Sequence, residues 1–274
     1  MMKHYKSWFA VGILALFIGC ASSDFESYRP SIVYEYVDNI AHVEQLLANS
    51  LKQYESHEIL VVFDFNYTLM YPLEPCLHTN NIHLYKKLFK EMLKKLSHVE
   101  ADKFLTGLMT TRNQALVNQN LPLFLKQHKD VNFLVCSSSL KNNIDAYLNL
   151  LATNGVSIKN HYGLPEFEFN EFKSYAVGRP IYKNGVILTN REEKGAVLNS
   201  FLNKLFKKPK LVIFVDNSPK KLDSIKELAS TLPDTKFVIV EYSEYKTKNI
   251  PQVSAEAFRK YWEHQLQLFK QRER

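Results

Sequence analysis

The sequence predicts an α/β protein built on a doubly wound, mostly parallel sheet. Four short apolar runs support this, because they consist mostly of branched or aromatic residues, as strands buried on both faces do; they lie at residues 59–63, 133–136, 211–215 and 237–240. Segments with helical spacing of apolar residues separate the runs, and strands that alternate with helices imply right-handed crossovers. Ligands bind beyond the carboxyl ends of such strands, so the residues after each run are candidates for a site.

The composition favours a folded domain over disorder. The chain has 274 residues, of which 46% are apolar and 23% charged, enough for one sizeable domain with insertions. Its net charge is +7, and part of the excess lies on one predicted helix, opposite an apolar stripe, at Lys86, Lys87, Lys90, Lys94 and Lys95. We expect a solvated helix face there, with a site for anionic lipid or nucleic acid as the alternative. No nucleic-acid partner is expected.

Residues 1–19 have the layout of a signal peptide. Lys3 and Lys6 precede an uncharged run that ends at Cys20 and is shorter than the ~20 apolar residues that a membrane-spanning helix needs. The residues LFIGC that end this run resemble a bacterial lipobox, which implies lipidation of Cys20. We then expect a tether at residues 20–38 and a lipid-anchored protein of the cell envelope, facing the periplasm or the cell exterior. The alternatives are a cleaved signal peptide with an incidental cysteine and a buried N-terminal helix.

The folded domain is expected to span residues 39–274. Its first helix is predicted at residues 39–54, with Asp38 as the N-cap, and it leads directly into the first strand. Three later helices are predicted at residues 142–153, from about residue 192, and at residues 254–271. We expect the last of these to dock on the domain, with binding of a partner as the alternative.

Two segments depart from the alternation of strands and helices. Residues 71–125 form a largely helical excursion after the first strand, which predicts a small cap over the site. Residues 156–190 contain Asn184-Gly185 between apolar flanks, a strong signal for a two-residue hairpin. We expect this second segment to be an insertion beside the sheet.

Two cysteines, Cys76 and Cys136, remain after Cys20. An exported protein allows such a pair to oxidise, but Cys136 ends an apolar run, and buried free cysteine is common. We therefore expect both thiols to stay free.

The residues DFNYTL at positions 64–69 directly follow the first apolar run. A carboxylate at the point where a strand leaves the sheet is dehydrated on one side and open to ligand on the other, which favours Asp64 as an attacking nucleophile. Other catalytic patterns are absent from the sequence. The histidines lack the spacings of a zinc site, and the Gly-x-Ser-x-Gly pattern of a serine nucleophile does not occur.

This segment resembles motif I of the haloacid-dehalogenase-like (HAD-like) superfamily, an apolar strand followed by Asp-x-Asp-x-Thr and Leu or Val. The chain departs from the motif at Asn66, where the second aspartate stands. Counterparts of the other three motifs follow in the family's order: Ser137 at the end of a strand, Lys194 at the start of a helix, and Asp216 after a strand. The resemblance covers about residues 59–223 and implies a HAD-like fold.

The resemblance also implies roles for these residues. Asp64 would attack phosphorus and form an aspartyl phosphate, which water then hydrolyses. Ser137 would bind the phosphoryl oxygens, with Ser138 as the alternative hydroxyl, and Lys194 would balance the charge of nucleophile and phosphate.

The metal implied is Mg²⁺, which prefers hard oxygen ligands and needs few protein ligands. Asp64, Asp216 and the main-chain carbonyl of Asn66 would hold it, and Asn217 would orient a bound water.

A closer resemblance is to an uncharacterised HAD-like family found mainly in bacteria that live inside host cells. It rests on residues 182–188, 194–198 and 212–217. This resemblance implies the fold and the setting and names no substrate.

The amide of Asn66 weakens the predicted chemistry. In phosphatases of the superfamily the second aspartate protonates the leaving oxygen and then activates water, and such catalysis is worth typically 10² to 10⁴ in rate, or on the order of 3 to 5 kcal/mol. The sequence thus favours an Mg²⁺-dependent phosphohydrolase of a phosphorylated small molecule, slow or restricted in substrate, in which Asn66→Asp would raise turnover. The alternative is a catalytically silent lipoprotein that binds a phosphorylated ligand or a protein partner.

Overall fold

An eight-stranded sheet lies at the centre of the computed structural model, which describes residues 32–158, 162–174 and 178–272. In spatial order its strands are β1 (Ile32–Val37), β10 (Lys236–Tyr242), β9 (Leu211–Asp216), β2 (Ile59–Phe63), β5 (Asn132–Ser137), β8 (Val186–Leu188), β7 (Ile181–Lys183) and β6 (Phe167–Glu168). The six strands from β1 to β8 in this order are parallel to one another. β7 pairs antiparallel with β8, and β6 pairs antiparallel with β7. The predicted α/β class with a mostly parallel sheet is confirmed.

Helices cover both faces of this sheet. They are α1 (Ile40–Ser50), α5 (Leu121–Gln127) and α6 (Ile144–Thr153) on one face and α7 (Lys194–Lys204) and α8 (Pro219–Ser230) on the other. Alternate residues of β2 serve the two layers: Ile59, Val61 and Phe63 pack on the first face, and Leu60 and Val62 on the second. Because successive side chains point to opposite faces and both faces are covered, every residue of this strand is apolar.

A third apolar cluster lies outside the two faces of the sheet. It contains α2 (Thr79–Leu84), α3 (Lys86–Leu93), α4 (His98–Thr111) and the C-terminal α9 (Ala255–Arg272). Its stem is a two-stranded antiparallel ribbon of β3 (Met70–Pro72) and β4 (Gln114–Leu116). We call α2–α4 with α9 the helical cluster. Trp262 of α9 is buried there, with its ring against those of Phe89 and Phe104.

Two predicted segment boundaries differ from those in the structure. Residues 32–37 belong to the sheet, since β1 pairs in parallel with β10, so the prediction of a tether through residue 38 is wrong for its last part. β1 lies at the edge of the sheet, and its residues alternate between exposed and partly buried because one face of the strand is exposed. The predicted excursion also ends early, because Leu121 and Phe124 of α5 pack in the core of the main sheet.

The predicted hairpin is present at β7 and β8, with positive φ at both Asn184 (45°) and Gly185 (80°). Its predicted place beside the sheet is wrong, because β8 pairs in parallel with β5 and the hairpin extends the main sheet.

The N-cap of α1 is Asn39, whose Oδ1 accepts from the His42 N–H at 3.1 Å, so the prediction of Asp38 is wrong by one residue. Cys76 and Cys136 are free and buried, the first in the helical cluster and the second in the sheet, as expected. The five lysines on and after α3 are exposed.

The signal peptide and Cys20 lie outside the described residues. Within the described ranges, no helix has the length and apolar character needed to cross a membrane.

Candidate active site

Asp64 and Asp216 lie side by side at the carboxyl edge of the sheet. β2 and β9 are parallel neighbours with Phe63 opposite Val215, so the residues that follow in each strand come together. The Asp64 N–H donates to the Val215 carbonyl oxygen at 2.8 Å, which fixes the start of the loop after β2. From β2 the chain first builds the sheet toward β5 and later returns to place β9 on the other side. The two aspartates therefore lie at a topological switch point, where α/β sheets bind ligands.

Lys194 joins the two carboxylates. It is the first residue of α7, and its side chain reaches the carboxyl edge of the sheet. Its Nζ donates to Asp64 Oδ1 at 2.5 Å and to Asp216 Oδ2 at 2.6 Å. All three side chains are buried. The other oxygen of Asp216, Oδ1, accepts from the Ser218 N–H at 2.8 Å, and this hydrogen bond orients the carboxylate.

A glycine after Lys194 allows α7 to approach α8 closely. A Cβ on Gly195 would lie 2.0 Å from the Ser224 carbonyl oxygen, far inside van der Waals contact. The same contact brings the Gly195 N–H to Ser224 Oγ at 3.2 Å. Lys194 thus supplies the positive charge between the two carboxylates, and Gly195 allows α7 to pack closely on α8.

The electrostatics of this group follow from its burial. Burial raises the pKa of Asp64 to about 6, while Lys194 acts to lower it and the negative charge of Asp216 raises it further. Burial acts to lower the pKa of Lys194, but the carboxylates of Asp216 and Asp64 outweigh burial and hold it above its ordinary value. The ammonium is therefore charged, and Asp64 is mainly ionised at neutral pH.

The loop after β2 is tightly wound. The Leu69 and Met70 N–H groups both donate to the Phe65 carbonyl oxygen, at 3.0 and 2.9 Å. Tyr67 has a positive φ of 64°, which is uncommon for a bulky residue and marks a strained position. Its hydroxyl donates to the Leu77 carbonyl oxygen and accepts from the Thr79 N–H, so the loop is tied to the start of the helical cluster.

Asn66 contacts two residues that sequence reasoning did not find. Its Oδ1 accepts from Arg112 Nη2 at 2.6 Å, and its Nδ2 donates to the Tyr147 hydroxyl at 3.0 Å. Arg112 follows α4 in the helical cluster, and Tyr147 lies on the buried face of α6. No motif marks either residue, and Tyr147 reads in the sequence as one more apolar position of its helix.

The predicted site residues converge on one cavity of about 300 Å³. It is lined by Asp64, Asn66, Tyr67, Ser137, Ser138, Ser139, Tyr147, Lys194, Asp216, Asn217, Ser218 and Lys221. The Ser137 hydroxyl lies 3.5 Å from that of Tyr147, and Ser138 Oγ is buried with no hydrogen-bond partner among the described residues. A buried hydroxyl of this kind marks a place for a water or a ligand atom. Sequence reasoning missed five lining residues: Tyr67, Ser139, Tyr147, Ser218 and Lys221.

A larger cavity of about 610 Å³ lies near α5 and is bordered by Pro122, Leu123, Phe133 and Gly155. Among the residues that the structure describes, its lining includes lysines and no carboxylate. The smaller cavity is therefore the better candidate for chemistry.

The atoms at the candidate site that could bind a metal ion are oxygens. In the described part of the chain, no group of three or more His, Cys, Asp or Glu side chains is placed to hold a metal ion. Mg²⁺ does not require such a group, because it is held by one or two carboxylates and keeps several waters. Asp64 and Asp216, with the carbonyl of Asn66 and the side chain of Asn217, therefore fit Mg²⁺ by the chemistry of their donors.

A family model described as "Protein of unknown function (DUF2608)" matches residues 37–273, which include all the site residues above. The chain belongs to this family. An "Uncharacterized protein" of Rickettsia bellii (strain RML369-C) is similar to this DUF2608 chain: the identity is 22% over 244 residues, and the match covers 78% of each protein. No solved structure matches the chain.

Proposed function

We propose that this protein is a HAD-like, Mg²⁺-dependent phosphohydrolase that works through an aspartyl phosphate. The observation that supports it best is the buried group of Asp64, Lys194 and Asp216, which opens into a cavity lined by hydroxyls. Phosphoryl transfer depends mainly on positioning and charge neutralisation, and this group supplies both.

Asp64 is the proposed nucleophile. One carboxylate oxygen forms a bond to phosphorus in line with the leaving group, whose bond to phosphorus breaks and whose oxygen keeps the electron pair. Burial raises the pKa of Asp64 to about 6 in the metal-free site, so the reactive carboxylate predominates at pH 7 even before a metal ion adds its positive charge. Water then attacks the aspartyl phosphate, inorganic phosphate leaves, and the carboxylate is restored.

The phosphoryl group would be held by the hydroxyls at the end of β5. Ser137, as the last residue of that strand, and the unpartnered hydroxyl of Ser138 offer donors, and Lys194 and Lys221 offer positive charge. When bound by Asp64 and Asp216, Mg²⁺ would supply further charge neutralisation.

The helical cluster is the proposed cap. It meets the carboxyl edge of the sheet through the hydrogen bonds of Tyr67 and Arg112, next to the cavity. A helical cap above a β9-β2-β5 arrangement that carries an aspartate, a second aspartate and a serine supports the HAD-like assignment. The ligand would be a phosphorylated small molecule.

Asn66 supports the alternative of a silent binding protein, because its amide is held by two hydrogen bonds and supplies neither an acid nor a base. We also propose that Cys20 carries the lipid anchor predicted from the sequence and that the protein belongs to the cell envelope. A protein partner remains part of the binding alternative only.

The test of the hydrolase is steady-state hydrolysis of a broad panel of phosphate monoesters, with Mg²⁺ and with a chelator. We expect slow, Mg²⁺-dependent turnover by wild type and none by Asp64→Asn. Calorimetric titration should show that Asp216→Asn weakens Mg²⁺ binding at least about tenfold, since one of two carboxylate ligands is lost. The matched control is Asp223→Asn on the exposed part of α8, which should bind Mg²⁺ as wild type does. An inactive wild type that still binds a phosphorylated ligand would establish the alternative.

A further inference from the structure

Arg112 lies where the helical cluster meets the wall of the cavity. Its Nη2 donates to Asn66 Oδ1 at 2.6 Å and to Gln114 Oε1 at 3.3 Å, and both acceptors are neutral amides. Its Nε is buried with no hydrogen-bond partner among the described residues. A guanidinium stays charged at neutral pH, and neither the contacts with neutral amides nor the electrostatic attraction of the Glu74 carboxylate removes that charge. Arg112 therefore places a positive charge directly behind Asn66.

This contact fixes the orientation of the Asn66 amide. A guanidinium can only donate, so the carbonyl oxygen of Asn66 must face Arg112 and the NH₂ group must face the other way, toward Tyr147. The Tyr147 hydroxyl takes one of the two N–H donors. Asn66 lines the cavity, so the ligand there meets an amide whose acceptor is occupied and whose remaining N–H can donate.

We propose that Arg112 is a positioning residue that makes the leaving-group side of the cavity electropositive through Asn66, so that the site, which has an amide and no acid there, accepts acyl and aryl phosphates. This inference rests on the proposed hydrolase. When Asp64 bonds to phosphorus and the bond to the leaving oxygen breaks, that oxygen departs as an anion, without a proton. Carboxylates and phenolates are stable in this form, whereas alkoxides are not. The Asn66 N–H, polarised by Arg112, stabilises the developing charge.

The first test measures kcat/KM on aryl phosphates whose phenols span a range of acidity, with the full-length protein. We expect Arg112→Gln to reduce kcat/KM on the order of 100-fold for the least acidic phenol and 10-fold or less for the most acidic. Arg112→Lys, which keeps the charge, should regain part of the loss on the least acidic phenols. Lys126→Gln removes one exposed positive charge away from the cavity and should change nothing. An equal loss across the whole series would overturn the inference, because a purely structural role affects every substrate alike.

The second test does not depend on turnover. Nitrogen-15 NMR of the full-length protein should show that Arg112→Gln shifts the side-chain NH₂ signals of Asn66, because the guanidinium that polarises its carbonyl oxygen is lost, whereas Lys126→Gln should leave these signals unchanged. Asn66 signals that stay the same in Arg112→Gln would overturn the electrostatic role of Arg112. A wild type that hydrolyses none of the esters would refute both the hydrolase and the selection of leaving groups, and a shift of the Asn66 signals found in that case would support the Arg112 contact alone.

Discussion

Lys194 separates two buried carboxylates that would otherwise repel each other. Its replacement by methionine leaves Asp64 and Asp216 facing one another without a cation, and breaking a buried ion pair by removing one partner costs about 3–5 kcal/mol. Without Lys194 the folded pKa of this carboxyl pair rises above its unfolded value, so the folded state binds the additional proton. The free energy of unfolding of Lys194→Met should therefore fall as pH rises from 5 to 8, and urea denaturation at several pH values measures it.

The control is Lys221→Met, which removes a positive charge from the same cavity wall without separating the two aspartates. Its effect on the free energy of unfolding should be smaller and should depend less on pH. A loss in Lys194→Met that is the same at pH 5 and pH 8 would contradict the charge argument and leave only lost packing.

Single residues of the site could be predicted when a strand or helix end positions them. Asp64, Ser137 and Asp216 end or follow apolar runs, and Lys194 begins a helix, so the sequence indicates their place at the carboxyl edge. Arg112 was beyond such reasoning, because its contact with Asn66 depends on how the helical cluster sits against the loop after β2. Linear spacing carries no information about that packing.

Among the elements, the α7–α8 contact is the one on which the site depends most directly. In Gly195→Ala the new Cβ would meet the Ser224 carbonyl oxygen at 2.0 Å, so α7 must move away from α8 and carry Lys194 with it. We expect a loss of about 1–3 kcal/mol in the free energy of unfolding, as for other overpacked sites. Mg²⁺ binding should weaken as well, because the movement of Lys194 changes the positions of the two carboxylates that would hold the ion. Chemical denaturation and calorimetry measure the two effects.

Gly107→Ala in α4 is the matched control. A Cβ at this position would meet no atom of the described residues within 4 Å, and alanine is a better helix former than glycine. This variant should gain roughly 0.5–1 kcal/mol in the free energy of unfolding. If Gly195→Ala were as stable as Gly107→Ala, close packing of α7 on α8 would not be the reason for the glycine.

The elements that sequence predicts best are those buried on both faces. The four apolar runs became β2, β5, β9 and β10, each observed strand matching its run or extending it by a few residues. The edge strand β1 was missed because its residues alternate between exposed and partly buried and only Val37 is fully buried, which leaves a weak pattern next to a polar segment. The hairpin turn was found from Asn184-Gly185, but its attachment to β5 depends on long-range pairing that local sequence does not specify.

For the whole molecule, the helical cluster is the feature that sequence order conceals. Helices α2–α4 follow the first half of the site, while α9 ends the described chain, and together they form one apolar core around Trp262. The sequence predicted both parts as helices. It did not indicate that they pack on each other, because an apolar stripe shows that a helix is covered but not by what.

The position of β1 bears on how the proposed anchor would present the active site. β1 is parallel to its neighbours and begins at Ile32, so the preceding chain joins the sheet at its amino edge, opposite the edge that carries Asp64 and Asp216. The residues from Cys20 to Ile32 can reach at most about 40 Å. A lipid on Cys20 would thus connect the membrane to the edge of the sheet opposite the cavity.

We therefore expect protein purified from membranes to begin at a lipid-modified Cys20, which intact-mass spectrometry detects. Several acyl chains on one residue anchor stably, because each buried CH₂ adds about 0.8 kcal/mol. Cys20→Ala should move the protein to the soluble fraction, and its kcat/KM for soluble phosphate esters should equal that of the anchored form, because the cavity opens at the far edge. An unmodified Cys20 on an intact N-terminus would contradict the anchor. A large gain in kcat/KM on release would contradict the orientation, since it would mean that the membrane obstructs the cavity.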